Sequence, residues 1–579
     1  MRLRFNHLNK WAVFGLSLLL LGHSIRGVAQ GSSSSQQNKV STTQLIAQLN
    51  KTIPQLLDSA SIPGLAISVI REGKMAYTQV YGVKSTETKE KMAINTIFEA
   101  ASLSKPVFAY ACLQLMEQGL LNLDKPLYTY LPYPDIARDE RYKRITARMV
   151  LSHTSGFPNW RNNDSLRINF EPGQKFSYSG EGYVYLQKVV EKITGKPLNQ
   201  LMEEKVFRPL GMPNSSYIWR PDFDAKTAAP HDAFNNALPK NKPTTANAAA
   251  SLHTTAPDYA AFITAVLNGT GLKKQTLTAM FTPQIQAPEE RINAATALSK
   301  SVSWGLGVGL QETPEGKAFW HWGDNYSFRC YVLAYPKEKM SVVYFTNSNN
   351  GLSVANRIMH LVTKREQPAI AFIDYEQYTS PGFLFRQGIP KQGVTAAIKP
   401  FLKPDNKPDI AEEELNSIGY QLLRSGKVQE GKEVLQLNLE AYPQSANVYD
   451  SYAYACLLNG EKDAAAQNYF KAYALDPKNK EAKQIADQLT AAQAPKGNAE
   501  FKLKGYGTAK LITLAGSFND WNAYRNFFVK QGDEWVCRLD LTPGKYQYKI
   551  VIDGDWILDP NNKETAEENG YKNSLLVVK

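Results

Sequence analysis

The sequence predicts a multidomain protein in which an α+β domain is followed by a short α-helical repeat array and an all-β sandwich. The chain of 579 residues is long enough for roughly three to four domains. A helical pattern recurs with a period of 34 residues within 409–492, and the pattern changes to alternation beyond residue 495. With 43% hydrophobic and 21% charged residues, the composition is that of globular domains with packed cores.

Residues 1–29 have the layout of a secretory signal peptide. They contain four basic residues and no acidic one, and an apolar run from Trp11 to Gly22 precedes small residues at 27–29. Because this run is shorter than the roughly 20 residues that span a bilayer, we expect cleavage after Ala29, with an uncleaved anchor as the alternative. The mature protein is then expected to be periplasmic or secreted, without an integral membrane segment.

Composition predicts a linker after the signal peptide and argues against nucleic-acid binding and a disulfide framework. Residues 30–40 are rich in serine and glutamine and predict a flexible linker. The net charge of +12 includes the four charges of the signal peptide, and no Lys/Arg run elsewhere resembles a nucleic-acid-binding surface, so nucleic acid is not a predicted partner. The cysteines are far apart and are expected to be buried single thiols: Cys112, Cys330, Cys456 and Cys537.

The region 41–367 mixes short β-rich runs with helical segments, which is typical of an α+β domain. Strands are expected at 65–70, 75–81 and 340–346. The span 102–121 is apolar on nearly every face and predicts a buried helix. A proline-containing connection at 368–408 follows this domain.

A serine and a lysine stand three residues apart at the start of the predicted buried helix. Positions i and i+3 share a helix face, so the Ser102 hydroxyl and the Lys105 amine are expected to meet. Pro106 is tolerated only in the first turn of a helix, which places the helix start near Ser102. Burial lowers the pKa of a lysine, and a neutral amine beside a serine can act as its base.

The run A-S-L-S-K-P at 101–106, followed by an apolar helix, resembles the serine β-lactamase and penicillin-binding-protein superfamily. Within it, the class C β-lactamase, D-Ala-D-Ala carboxypeptidase and esterase branch is the most similar. Other stretches occur in the expected order, namely P-G-L-A-I-S-V from Pro63, L-S-H-T-S-G from Leu151 and P-L-G-M from Pro209. The resemblance covers about residues 45–365 and implies an antiparallel sheet combined with a helical subdomain.

The resemblance also assigns a second and a third motif. In the family, the tyrosine of Y-x-N relays the proton of the nucleophile, and this role falls on Tyr178. The asparagine, which helps to hold the amide side chain of the substrate, is replaced by Gly180, so recognition of β-lactams and peptides is in doubt. The K-x-G or H-x-G motif, expected on an edge strand, matches His321-Trp322-Gly323.

By the same match, the backbone N–H groups of Asp324 and Ser102 form an oxyanion hole. A mostly neutral histidine anchors a carboxylate less strongly than lysine does. Together with Gly180, it favours an esterase or a D-amino-acid peptidase over a β-lactamase. The implied cycle begins when Tyr178 and Lys105 deprotonate Ser102, which attacks an ester or amide carbonyl of a small-molecule or peptide substrate. It proceeds through an acyl-enzyme and needs neither a metal nor a cofactor.

His153, within L-S-H-T-S-G, is expected to brace a turn.

The helical region 409–492 contains an internal repeat. Gly426 and Gly460 are 34 residues apart, as are Pro443 and Pro477. This period with a closing proline resembles tetratricopeptide repeats. A spacer that packs against its neighbours is one interpretation, and a groove that binds a protein partner is the other.

The region 495–579 is expected to be an immunoglobulin-like β-sandwich, with strands near 510–515, 535–541 and 546–552. Its order of motifs resembles the family-48 carbohydrate-binding module, as in the glycogen-binding domain of AMP-activated protein kinase β subunits. The resemblance implies binding of an α-glucan such as glycogen, with a structural module as the alternative. The residues that it implicates are two tryptophans that stack on glucose rings and two hydrogen-bonding residues: Trp521, Trp556, Lys549 and Asn573.

Two hypotheses about function follow from these motifs. The first is an exported serine hydrolase that an α-glucan-binding module targets to polysaccharide. The second is a non-catalytic scaffold or carbohydrate-binding protein with a decayed hydrolase domain. Gly180 favours the second hypothesis, whereas the presence of Ser102, Lys105, Tyr178 and His321 favours the first.

Overall fold

An eight-stranded antiparallel sheet organises the region that the sequence assigns to the α+β domain, in the order β2-β1-β10-β9-β8-β7-β6-β5. The computed structural model describes residues 41–161, 165–287, 301–568 and 571–579. The predicted signal peptide and linker lie outside the described residues. Strand bounds in this region are β1 Gly64–Arg71, β2 Lys74–Gly82, β3 Phe98–Glu99, β4 His253–Thr254, β5 Ile285–Gln286, β6 Val302–Trp304, β7 Gly309–Thr313, β8 Gly316–Asp324, β9 Arg329–Tyr335 and β10 Met340–Thr346.

Helices cover the sheet and form a separate layer beside it. Helix α7 (Ala256–Asn268) packs on β1, β2 and β10, and α1 (Thr42–Ser59) packs on β2 and α9 (Ala355–Thr363). The α+β class with an antiparallel sheet is confirmed, and the three predicted strands lie within β1, β2 and β10. Helix bounds are α1 Thr42–Ser59, α2 Ser104–Glu117, α3 Ala147–Leu151, α4 Gly180–Thr194, α5 Leu198–Met202, α6 Phe223–Lys226, α7 Ala256–Asn268, α8 Lys274–Met280 and α9 Ala355–Thr363.

The predicted buried helix is a 3₁₀ turn at Ala101–Leu103 that continues into α2. Pro106 lies in the first turn of α2, where its missing N–H interrupts no helical hydrogen bond. All residues from Ser104 to Leu113 are buried. Because α2 is enclosed on all sides, its N-terminal turn is held in one place relative to the sheet.

The helices of the repeat region follow the 34-residue period of the sequence. Helices α13 (Glu412–Arg424) and α15 (Ala446–Leu458) start 34 residues apart, as do α14 (Val428–Ala441) and α16 (Lys462–Leu475). Helix α17 (Lys480–Thr490) follows. The predicted helix–turn–helix units are therefore present, and their assignment to the tetratricopeptide family stays a prediction. The preceding connection is itself helical, with α10 Pro368–Ile373, α11 Pro381–Gln392 and α12 Val394–Ile398.

The C-terminal region is an all-β sandwich, as predicted. A sheet of order β11-β14-β13 faces one of order β12-β15-β18-β17, and β16 pairs with β15. Their inward side chains, including Phe501, Leu514 and Ile550, share one hydrophobic core. Strand bounds are β11 Ala499–Lys504, β12 Ile512–Gly516, β13 Val529–Gln531, β14 Glu534–Leu539, β15 Gly544–Ile552, β16 Asp555–Ile557, β17 Thr565–Glu568 and β18 Tyr571–Val578.

The sandwich packs on the repeat helices. Phe527 is buried in a core formed with residues of α15, α16 and α17. Arg525 Nη2 lies 2.6 Å from the carboxylate of Glu481 in α17, and the rings of Tyr454 and Tyr524 lie 5.5 Å apart. The repeat helices therefore act at least as a packed spacer beside the sandwich.

Two properties of the chain bear on its class. Within the described ranges, no helix has both the length and the apolar character needed to cross a membrane. All four cysteines are buried free thiols, which confirms the prediction.

Candidate functional site

The candidate nucleophile lies on a tight turn between β3 and α2. Ala101 adopts a left-handed conformation with φ of 48°, and it opens the 3₁₀ turn that carries Ser102. Ser104 Oγ donates to the Ala101 carbonyl at 2.5 Å and closes the turn. Ser102 remains partly exposed although both neighbouring residues are buried. The turn thus presents one hydroxyl to solvent from an otherwise enclosed helix start.

Lys105 lies beneath this hydroxyl and has no exposed surface. Its Nζ is 3.0 Å from Ser102 Oγ and donates to the Ala249 carbonyl at 2.8 Å. Burial lowers the pKa of Lys105 to about 7, because the charged form loses its hydration. Near neutral pH, a large fraction of this amine is unprotonated and within reach of the Ser102 proton.

Tyr178 lies on the other side of the lysine. The centroid of its ring is 4.7 Å from Lys105 Nζ and 4.9 Å from the ring centroid of Trp322. The ring centroid of His153 lies 4.3 Å from that of Tyr178. The predicted serine, lysine and tyrosine therefore lie together, and aromatic rings pack around the tyrosine.

His153 holds the segment that carries Tyr178. The Ser179 N–H donates to His153 Nδ1 at 3.0 Å, and the Ser177 N–H donates to the His153 carbonyl at 2.8 Å. Burial lowers the pKa of His153 well below its usual value, so the ring is neutral and carries its proton on Nε2. His153 therefore fixes the segment 177–179, which carries Tyr178, and its predicted role in bracing a turn stays a prediction.

His321 is also neutral. Burial, reinforced by the nearby Lys105, lowers the pKa of His321 to about 3. Its Nδ1 donates to the Trp322 carbonyl at 2.8 Å, which leaves Nε2 as a hydrogen-bond acceptor. The ring centroid lies 6.1 Å from that of Tyr178. A neutral acceptor at this position provides no positive charge for a substrate carboxylate.

The strand that carries His321 approaches the nucleophile through Gly323. A Cβ at Gly323 would lie 2.4 Å from the Ala100 carbonyl oxygen and 2.4 Å from Cys330 Sγ. The motif predicts an edge strand, but this prediction is wrong, because β8 lies between β7 and β9. Its pairing with β7 nevertheless ends at Trp320, so the last four residues extend beyond that partner. This protruding end brings the backbone of Asp324 towards the serine turn.

Gly180 is the first residue of α4, and another residue occupies the space beside it. A Cβ at Gly180 would lie 2.7 Å from Cη2 of Trp160 and 2.8 Å from the carbonyl oxygen of Asn159. The Gly180 N–H donates to that carbonyl at 3.0 Å. The indole of Trp160 therefore lies where a side chain at the motif asparagine position would begin.

The sequence did not predict that the Ala249 carbonyl binds Lys105 or that the Trp160 ring lies beside Gly180. The lysine partner is a backbone carbonyl 144 residues away from Lys105, and a backbone group carries no sequence signal. The sequence shows that Gly180 replaces the motif asparagine, but only the structure shows that Trp160 occupies the space of the missing side chain. Otherwise Ser102, Lys105, Tyr178 and His321 lie together as predicted, and Asp324 is the last residue of the strand that carries His321.

The sugar-binding candidates share one face of the C-terminal sandwich. Trp556 pairs with Val551, which lies two residues from Lys549, so both side chains project to the same side. Asn573 lies two residues from the partner of Gln547 in β18, which places it on that side as well. The structure thus brings Lys549, Trp556 and Asn573 to one surface.

The two tryptophans form the exposed part of this face. Their ring centroids are 6.4 Å apart with the planes inclined by 33°, and Trp556 is 44% exposed. Asn573 is buried, and its Nδ2 donates to Gln547 Oε1 at 2.9 Å. Trp521 and Trp556 therefore present the aromatic surface, while Asn573 is already engaged within the sheet.

The fold and the site together are those of the serine β-lactamase-fold hydrolase family, joined to a carbohydrate-binding module. Residues 49–363 match the family described as "Beta-lactamase", and this match covers more than half of the chain. The chain belongs to this β-lactamase family. Residues 499–579 match the family described as "Glycogen recognition site of AMP-activated protein kinase".

Among curated proteins, the chain is 22% identical over 366 residues to protein flp of Staphylococcus aureus strain N315, covering 59% of this chain and 69% of that protein. It is 30% identical over 205 residues to esterase EstB of Burkholderia gladioli, covering 30% of this chain and 52% of the esterase.

Two solved structures are similar at 20% identity. A penicillin-binding protein homologue from Pyrococcus abyssi, described as octameric, has a TM-score of 0.49 and covers 60% of this chain and 82% of its own. The D-alanine carboxypeptidase AmpC from Burkholderia cenocepacia has a TM-score of 0.47, with 55% and 99% covered.

Proposed function

We propose that this protein is an exported serine hydrolase that forms an acyl-enzyme at Ser102, prefers neutral esters, and is held near α-glucan by its C-terminal module. The observation that carries the hydrolase assignment is the 3.0 Å contact between Ser102 Oγ and a fully buried Lys105 whose pKa is lowered to about 7. Among the described residues, no carboxylate forms an ion pair with Lys105. Burying such a lysine costs stability, and a base for the adjacent hydroxyl is a function that would retain it.

The proposed reaction uses these groups in sequence. Neutral Lys105, with Tyr178 as relay, takes the Ser102 proton while Oγ attacks the carbonyl carbon. The N–H groups of Ser102 and Asp324 stabilise the oxyanion. The leaving alcohol departs with a proton returned from the Lys105–Tyr178 pair, and water then releases the acid from the acyl-enzyme.

Preference for a neutral ester rests on His321 and Trp160. A substrate carboxylate would face the acceptor Nε2 of His321 rather than a positive charge, because the Nδ1 proton is used by the Trp322 carbonyl. Trp160 supplies an apolar ring beside Gly180 instead of the amide of an asparagine. Both features disfavour D-Ala-peptides and β-lactams, which carry a carboxylate and an acylamino group, and favour esters with apolar acyl chains.

A covalent probe tests the hydrolase assignment. We expect a fluorophosphonate probe to label the wild-type protein at neutral pH and to leave Ser102→Ala unlabelled, because the hydroxyl that displaces fluoride is gone. Ser165→Ala removes an exposed serine of the same domain and is expected to label like the wild type. Labelling that persists in Ser102→Ala, or a folded wild type that neither this probe nor fluorescent penicillin modifies, would refute the assignment. The latter result would favour the scaffold hypothesis.

The substrate preference is tested separately on purified protein. We expect Ser102-dependent hydrolysis of p-nitrophenyl esters with apolar acyl chains. Release of D-alanine from a D-Ala-D-Ala peptide and hydrolysis of a cephalosporin are expected to be slower by at least about 10²-fold in kcat/KM, equivalent to about 2.7 kcal/mol. Faster turnover of the peptide than of the esters would reverse the preference.

The α-glucan assignment is tested by affinity electrophoresis in glycogen gels. Each stacked ring is expected to contribute about 1 kcal/mol or more, so Trp521→Ala combined with Trp556→Ala should weaken binding by at least about 10-fold. Tyr506→Ala removes an exposed aromatic ring elsewhere in the sandwich and should leave retardation unchanged. Wild-type migration that glycogen does not slow would contradict the assignment.

A further inference from the structure

The segment that follows the family-matched region returns to the end of β8. Tyr375, in the connection after α10, donates its hydroxyl to Asp324 Oδ2 at 2.6 Å. The Arg329 guanidinium lies 3.3 Å from the same oxygen through Nη2 and 4.9 Å from the centroid of the Tyr375 ring. The family match ends at residue 363, so Tyr375 belongs to a part of the chain that the hydrolase family does not define.

The carboxylate of Asp324 is held at both oxygens. Oδ1 accepts the Tyr326 N–H at 2.7 Å, while Oδ2 receives Tyr375 and Arg329. These partners hold the pKa of Asp324 below its usual value although burial acts in the opposite direction. A side chain fixed from three directions fixes the peptide that carries it, and this peptide includes the proposed oxyanion donor.

The contacts continue from Tyr375 to the repeat helices. Glu376 Oε2 accepts from Arg386 Nη2 at 2.7 Å, and Arg386 Nη1 donates to Gln421 Oε1 at 2.6 Å. Arg386 is only 2% exposed, and Gln421 lies in α13. A partly buried line of polar contacts therefore connects the end of β8 to the first repeat helix.

We propose that Tyr375 is a positioning residue for the oxyanion hole and that it acts through the carboxylate of Asp324. The inference rests on the proposed function, since it concerns the same acylation step. A donor aimed at the developing oxyanion is effective only when it is preorganised, so an Asp324 side chain that loses one anchor leaves its N–H less well aligned. The connection and α13 then serve as structural supports of the hydrolase site.

The test uses the full-length protein, a fluorophosphonate probe and a p-nitrophenyl ester. Phosphonylation of Ser102 forms an O–P bond, expels fluoride and places a phosphoryl oxygen in the oxyanion hole, so its rate reports on that hole. We expect Tyr375→Phe to lower the labelling rate and kcat by about 10-fold while KM changes less than about twofold. Tyr378→Phe removes a hydroxyl three residues along the same segment and is expected to match the wild type.

A double-mutant cycle shows whether Tyr375 acts through Asp324. Asp324→Ala keeps the backbone N–H but removes the carboxylate, so adding Tyr375→Phe to it should produce no further loss. If Tyr375→Phe lowered the labelling rate of Asp324→Ala by the same factor as that of the wild type, or if Tyr375→Phe alone were labelled at the wild-type rate, the inference would be overturned. The proposed function would still hold, because labelling would remain dependent on Ser102. A change in KM proportional to the change in kcat/KM, with kcat unaltered, would also overturn the inference. Absence of any label on the wild type would instead refute the proposed function.

Discussion

Replacing Lys105 with methionine is expected to lower the rate of Ser102 labelling by about 10³–10⁴-fold, because the only buried base within 3.0 Å of Oγ in the described structure is removed. Methionine has a similar length and no charge, so it can occupy the same enclosed space. In the wild type, labelling should rise with pH through about 7, the value to which burial lowers the pKa of Lys105. This rise should be absent from the residual rate of the variant.

The same substitution is expected to stabilise the fold. In the unfolded chain a lysine keeps a pKa near 10.5, so between about pH 7 and 10.5 the unfolded state binds the proton that the folded state releases. The cost of burying Lys105 is therefore greatest below pH 7 and diminishes as the pH rises towards 10.5. Lys105→Met removes this cost, so it should raise the free energy of unfolding by about 2 kcal/mol or more at pH 6, and by less at pH 9.

Urea unfolding of the wild type and Lys105→Met at pH 6 and pH 9 measures this difference. Lys192→Met, at an exposed position of α4, serves as the control and should shift neither stability nor labelling. If Lys105→Met instead lowered the free energy of unfolding by the same amount at both pH values, burial of the amine would not be destabilising the wild-type fold. Labelling at the wild-type rate would show that it is not the base.

The Ser102–Lys105 contact was predictable because helix geometry fixes it locally. Two residues three positions apart at a helix start share one face, and Pro106 located that start to within a few residues. The strands β1, β2 and β10 were predictable for the same reason, since a short run rich in β-branched and aromatic residues is a local property. The order of the motifs containing Tyr178 and His321 followed from family resemblance, although nothing local reports the distances between them.

Contacts between distant segments were not predictable. Ala249 and Tyr375 lie far from their partners in sequence and contribute a backbone carbonyl and a single hydroxyl, neither of which makes a pattern. The expected edge strand was wrong because β8 gains β7 as a neighbour and only its last residues protrude. Asn573 donates its amide N–H to Gln547 within the sheet, a contact that no local pattern indicates, and its implied role in sugar binding stays a prediction.

Gly323→Ala is the second change with a large expected effect. The added Cβ would lie 2.4 Å from the Ala100 carbonyl oxygen and from Cys330 Sγ, closer than any ordinary contact. Since Ala100 immediately precedes the serine turn, β8 and that turn must separate to relieve the overlap. We expect a loss of about 3 kcal/mol in the free energy of unfolding, as in other overpacked cores, and labelling slowed by about 10²-fold as the Asp324 N–H moves away from Ser102.

Two further variants separate the geometric effect from a general cost of alanine. Gly507→Ala adds a methyl group where no other atom lies within 4 Å, so it should change neither stability nor labelling. Adding Cys330→Ala to Gly323→Ala removes one of the two overlapping atoms and should recover part of the lost stability, while the carbonyl of Ala100 remains in the way. Wild-type labelling by Gly323→Ala would mean that the end of β8 does not supply the oxyanion donor. The hydrolase would then have to stabilise its intermediate from the Ser102 N–H and another group, so this substitution is the most direct test of how β8 and the start of α2 form one site.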